Sequence, residues 1–148
     1  MTLKKLTEEE IFLKVYKSFY TSGLASKIGK ELGRGKVNTL LAIASYMDDK
    51  GICFPTQEQL ADRTGTTIGT INRDVNELLD FRIDGKPILI RRKHKTNAGH
   101  RNSIYRVMPI SQLSIFDREI EPIQKPLIEK DKEASEREAA LADLLAEL

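Results

Sequence analysis

The 148-residue sequence has one cysteine, two histidines, no tryptophan and no long apolar run. A single thiol, Cys53, excludes an intrachain disulfide, and a reducing cytoplasm is the expected setting. Flanked by Ile52 and Phe54, Cys53 reads as a small core residue rather than a nucleophile. His94 and His100 fall short of the three or four ligands that a zinc site needs, so phosphate contact or plain exposure is left for them. The longest apolar stretch, within 39–47, is far below the roughly 20 residues of a membrane span. The start, MTLKKLTEEE, turns acidic where a signal peptide would be apolar. There is no phosphate-cradling glycine loop and no Cys/His or Ser/His/Asp set at a recognisable spacing. An enzyme is therefore not expected, and neither is a cofactor.

Charge is present in quantity and unevenly placed. Charged residues make up 31% of the chain, yet the net charge is only +2. Residues 129–148 hold seven acids against three bases, a net of −4. Residues 82–106 hold eight Lys or Arg against one acid, a net of +7. Within them the stretch RRKHKTNAGHRNSIYRV concentrates like charge on one short piece of chain. Such self-repulsion destabilises a fold unless an outside polyanion neutralises it.

Periodicity places this stretch in a framework. Residues 11–16 read as a strand or extended arm, although Phe12, Val15, Tyr16 and Phe19 also fit a helical face. A short helix is expected over 24–32, and a clear one over 36–47 with Val37, Leu40, Leu41, Ala44 and Met47 inward. Ile52, Cys53 and Phe54 suit a short strand. Thr56 followed by Gln59 forms a capping box that opens the next helix, and Gly65 closes it. Thr67 caps a helix over 68–79, whose Ile71, Val75 and Leu78 point inward. Two short helices joined by a glycine-containing turn are a helix-turn-helix arrangement.

The outward face of the second helix carries Ile68, Gly69, Asn72, Arg73 and Asn76. Asn and Arg pair with adenine and guanine edges in the DNA major groove. Glycine inside a helix costs about 1 kcal/mol relative to alanine. At Gly69 this is explained either by close approach of a phosphate or base, or by fraying of the first turn. After a turn at 84–87, a strand from Ile88 runs into Arg91, Arg92 and Lys93. Asn97-Ala98-Gly99 turns the chain, and 103–107 returns as a strand. The basic stretch is thus the far end of a β-hairpin beside the second helix, a place from which it can follow a sugar-phosphate backbone.

A helix-turn-helix followed by a basic hairpin resembles the winged-helix DNA-binding fold. The string YMDDKGICFPTQEQLADRTGTTIGTINRDVNELLDFRIDGKPILIRRK, with YRVMPISQLSIF behind it, is similar to helix-turn-helix proteins of Gram-positive plasmids and phages. These include transcriptional regulators and proteins related to replication initiators. The resemblance covers about residues 10–116 and implies that Thr67, Asn72, Arg73 and Asn76 sit on the DNA side. It differs at Ile68 and Gly69, where such proteins often carry polar or basic residues. The expected fold is α+β and mainly helical: a winged helix-turn-helix with a basic β-hairpin wing and a C-terminal helical tail. The domain spans 1–116, a linker 117–126, and an acidic helical tail 127–148.

The expected partner is double-stranded DNA, bound as a homodimer. Candidate contacts are Thr67, Ile68, Gly69, Asn72, Arg73 and Asn76 on the recognition helix, and Thr56 and Gln57 at the start of the first helix. On the wing they are Arg91, Arg92, Lys93, His94, Lys95, Asn97, His100 and Arg101. Regulation of transcription on a plasmid, phage or related element is the leading reading. Replication initiation or plasmid partition by the same module is the alternative. Leu141, Leu145 and Leu148 give the tail an apolar stripe about two turns long, which fits either a partner-binding helix or a solvated one.

Overall fold

A computed structural model of the chain describes residues 3, 5, 13–95, 101–114, 120–124, 127 and 132–147, with backbone alone at 94–95, 101–102, 114 and 132–135. The expectations placed on Ile11, Phe12, Asn97, His100 and Leu148 lie outside the described residues. So do the side chains of His94, Lys95 and Arg101.

In chain order the elements are β1 (Lys14–Val15), α1 (Ser18–Thr21), α2 (Leu24–Glu31), α3 (Arg34–Ala44), β2 (Ile52–Cys53), α4 (Gln57–Thr64) and α5 (Ile68–Asp80). There follow β3 (Arg82–Ile83), β4 (Lys86–Pro87), β5 (Leu89–Lys95), β6 (Arg101–Val107), a 3-10 turn (Pro109–Ser111), β7 (Leu113–Ser114) and α6 (Lys132–Ala146). Helices mixed with small antiparallel sheets agree with an α+β class.

The expected caps form. Thr56 Oγ1 accepts from the Gln59 amide at 3.1 Å, and Gln59 Oε1 accepts from the Thr56 amide at 2.9 Å. Gly65 ends α4 at φ 72°, a left-handed conformation that favours glycine. Thr67 Oγ1 accepts from the Thr70 amide at 3.2 Å to open α5.

Helix α3 departs from the expected bounds and face. It starts two residues earlier and stops at Ala44, and its buried set is Thr39, Leu40, Ala42, Ile43 and Ala44, with Val37 and Leu41 only half-buried. The reason is that α2, α4 and α5 all pack on α3, so the covered arc is wider than one amphipathic stripe. Around it the core gathers Phe19, Leu24 and Ile28 from one side, Leu60, Ile71, Val75 and Leu78 from another, and Leu89, Tyr105 and Val107 from the sheet.

The turn expected at 84–87 is tighter than read. Asp84 (φ 52°) and Gly85 (φ 75°) alone make it, and Lys86 and Pro87 pair back on Ile83 and Arg82. Two successive residues at positive φ match the twist of a two-residue hairpin. The larger sheet has the order β2-β6-β5, antiparallel, with Leu89 opposite Val107 and Lys95 opposite Arg101. β1 pairs with β7 and joins the early chain to residues 113–114.

Where described, the span read as a linker lies on the domain. The buried Gln112 donates through Nε2 to Ile110 O at 2.9 Å and to Glu121 O at 2.6 Å, while its Oε1 accepts from Ser18 Oγ. Glu121 also donates its amide to Pro109 O at 3.2 Å and pairs with Lys86. Ile123 and Leu127 pack against the core, and the Leu127 amide donates to Ser22 O at 3.3 Å. Truncation after residue 131 should therefore leave the melting temperature almost unchanged. Truncation after residue 119 uncovers core surface beneath Ile123 and Leu127 and strips a partner from the Gln112 amide. Its expected cost is about 1–3 kcal/mol by thermal or urea unfolding, a loss that equal melting of the two truncations would disprove.

Candidate nucleic-acid interface

The orientation of α5 decides which side chains reach solvent. Ile71, Val75 and Leu78 are fully buried, which turns Ile68, Gly69, Asn72, Arg73 and Asn76 outward. A polar group lies on the inward side as well. Asp74 is 3% exposed, and its Oδ2 accepts from Thr39 Oγ1 at 2.8 Å. Lys36 Nζ stands 3.3 Å from Asp74 Oδ1 and 3.1 Å from Glu77 Oε2, so α3 grips α5 through one cation and two acids. Glu77, then Asp74, hold the Lys36 ammonium above its usual range, against the opposing effect of burial. Sequence reasoning missed this cluster. The available signal was an acid on the apolar face of a helix, three residues after Ile71 and four before Leu78.

Two hydrogen bonds tie this outward face to its neighbours. Gln57 Nε2, at the start of α4, donates to Asn72 Oδ1 at 3.0 Å. Arg91 Nη2, on β5, donates to Asn76 Oδ1 at 3.3 Å. Gln57, Asn72, Asn76 and Arg91 thus form a polar border shared by three elements, with the exposed Arg73 beside it. At the other end of α4, the Arg63 guanidinium lies 3.7 Å from the Tyr46 ring centroid and donates to Ser45 Oγ at 2.8 Å, which locks α4 to the end of α3. The hydroxyls of Thr56 and Thr67 serve the caps described above.

Strand alternation divides the hairpin into two faces. Arg91, Lys93, Ser103 and Tyr105 line a cleft of about 320 Å³ with Gln57 and the 74% exposed Phe54. Arg92 and Arg106 line a separate groove of about 250 Å³ with Ile52, Ile90 and Ile104. The candidate cations Arg91 and Lys93 therefore adjoin the start of α4, and Arg92 does not. Of the other bases in the +7 segment, Arg82 donates to Leu79 O at 2.7 Å and Phe81 O at 3.1 Å, closing the end of α5, and Lys86 pairs with Glu121.

Cys53 is 1% exposed, and burial, with Asp48 adding to it, pushes its thiol up to about 12. It is neutral and inert at physiological pH. Among the described residues no three His, Cys, Asp or Glu side chains converge to hold a metal, and no helix is long and apolar enough to cross a membrane.

Residues 30–83 match the family model of a helix-turn-helix domain, from the last turn of α2 through β3. Comparisons with curated proteins and with solved structures return no match. Within this span, α4 and α5 joined through Gly65 have the helix-turn-helix arrangement.

Three variants test how the face is built. Asp74→Ala leaves Lys36 with Glu77 alone and Thr39 without its acceptor, and is expected to cost about 1–3 kcal/mol in urea unfolding. Because the Lys36 pKa is raised on folding, its contribution is complete below about pH 10.5 and lost as pH rises through the folded value. Lys36→Met should accordingly be less stable at pH 7 and show a flatter decline above pH 10.5. An added Cβ at Gly69 meets only Thr67 Oγ1, at 4.0 Å. Gly69→Ala should raise stability by up to about 1 kcal/mol. If a phosphate or base comes close to the start of α5, the same variant loses affinity for duplex DNA severalfold in fluorescence anisotropy; unchanged affinity excludes such an approach.

Proposed function

We propose that the chain is a cytoplasmic winged-helix protein that binds double-stranded DNA in a sequence-dependent way, as a homodimer on a palindromic or repeated site. The observation that carries this reading is the polar border of α5: Asn72, Arg73 and Asn76 face outward from the second helix of a helix-turn-helix domain, flanked by Gln57 and Arg91. Such a helix fits the major groove, where Asn and Arg can pair with base edges. The cleft between the start of α4 and the hairpin holds Arg91 and Lys93, cations suited to phosphate contact. The hairpin acts as the wing and supplies affinity, while α5 supplies sequence choice. Regulation of transcription on a plasmid, phage or related element is the role proposed for this module, on the resemblance of its FPTQEQLA and TIGTINRDVNELL segments. Protection of DNA upstream of its own gene in a footprint tests that role. Protection confined to repeats of a replication origin or a partition site would reassign it.

The division of labour is measurable. Arg73→Ala should cost about 1–3 kcal/mol on the cognate site and relax the preference at one base position, with a much smaller loss on random duplex. Arg91→Ala with Lys93→Ala should weaken specific and random duplexes alike. It should also lower the slope of log K against log salt by about 0.9 for each phosphate that is no longer neutralised. Arg92→Ala, on the opposite face, should leave that slope nearly unchanged. A salt series in fluorescence anisotropy reads all three, and an unaltered slope in the Arg91/Lys93 double variant sinks the wing assignment.

A further inference from the structure

A groove of about 630 Å³ opens on the side of the domain formed by α1, α2 and α3, away from the residues assigned to DNA. Its floor is apolar, from Ala25, Gly29 and Val37, with Tyr20 at one side, and its rim carries Lys30 and Arg34. Tyr20 is 62% exposed and stands edge-on to the buried Phe19 ring at 5.0 Å, which holds it upright as a wall. Gly29 sits inside α2, where glycine weakens a helix, and an added Cβ there would meet nothing within 4 Å. Among the described residues, nothing fills the space above it.

The chain also holds an apolar surface with matching charge. Leu141, Leu144 and Leu145 share one face of α6 and are 55–58% exposed. Glu138 and Glu147 border that face at helical spacing. An acidic helix with an apolar stripe complements an apolar groove with a basic rim in both respects.

We infer that the groove seats α6 of a second copy, so that two chains exchange their C-terminal helices. The tie of Leu127 to Ser22 brings the tail to the groove's edge, one turn from Tyr20 and Ala25. Only four residues separate Leu127 from Lys132, where α6 begins. In this structure a chain's own α6 leaves Leu141, Leu144 and Leu145 exposed, and among the described residues none of α6 lines the groove. A helix from a second copy can bring the leucines onto the floor. Exchange is reciprocal and closes as a two-fold dimer. This deepens the homodimer of the proposed function and rests on nothing about DNA contact.

The test uses the full chain with Gly29→Cys and Leu141→Cys together, oxidised and run on a denaturing, non-reducing gel. The buried Cys53 is the silent background, and the unaltered chain is the control. A covalent dimer is expected. A crosslinked monomer would mean that each helix covers its own groove, and no crosslink would mean that the groove takes something else; either overturns the inference. Sedimentation supplies an independent reading. Gly29→Leu projects into the groove from a position where an added Cβ meets nothing within 4 Å, so the mass should fall from twice the 16.8 kDa chain to one chain, with melting of the domain retained. An unaltered protein that is dimeric yet indifferent to both variants overturns the exchange and leaves the proposed dimer standing. A monomeric unaltered protein overturns both, and DNA binding measured on the same samples judges the rest of the functional reading separately.

Discussion

The buried carboxylate of Asp74 is the constraint on which the outward face depends. Apolar burial of Ile71, Val75 and Leu78 holds α5 to the domain, but the hydrophobic effect is non-directional and tolerates rotation about the helix axis. A hydrogen bond from Thr39 at 2.8 Å and the Lys36 ammonium at 3.3 Å do not. Rotating α5 would carry Asp74 away from both partners and leave a buried charge uncompensated, which is costly at low dielectric. The same interaction that joins α5 to α3 therefore selects Asn72, Arg73 and Asn76 as the residues presented to solvent.

That presentation is also ordered before any partner arrives. Asn72 is held by Gln57 and Asn76 by Arg91, so the two amides have already lost part of their rotational freedom. Ordering of this kind lowers the entropy that association has to overcome. Its counterpart is that each Asn oxygen must share or exchange its bond when a base edge approaches. Since Gln57 belongs to α4 and Arg91 to the hairpin, such an exchange is felt by both neighbours of α5. Arg73, with its guanidinium on the open side, meets no comparable competition.

The charge pattern acquires a finer meaning from the packing. Arg82 closes a helix end and Lys86 pairs with Glu121, so they support the domain. Arg91 and Lys93 converge on the start of α4, while Arg92 and Arg106 lie on the other face of the sheet among isoleucines. A segment of net +7 is thus several local environments, each with its own use.

The sequence by itself determined the local structure. Thr56 with Gln59, Gly65 and Thr67 specify the bounds of α4 and the start of α5 through bonds between near neighbours, and the spacing of Ile71, Val75 and Leu78 specifies the inward face. Alternating strand residues around a turn likewise made the β5–β6 hairpin legible. Tertiary structure alone decided what depends on contacts between distant residues: the wide buried arc of α3, the capture of Glu121 and Leu127 by Lys86 and Ser22, the grip of Lys36 on Asp74, and the division of the hairpin's cations between two faces. The partners in these interactions stand 35 or more residues apart along the chain in the Thr39–Asp74, Lys86–Glu121 and Ser18–Gln112 pairs. Helical and strand periodicity can show which way a side chain points, but only the packing of one element on another brings its partner within bonding distance.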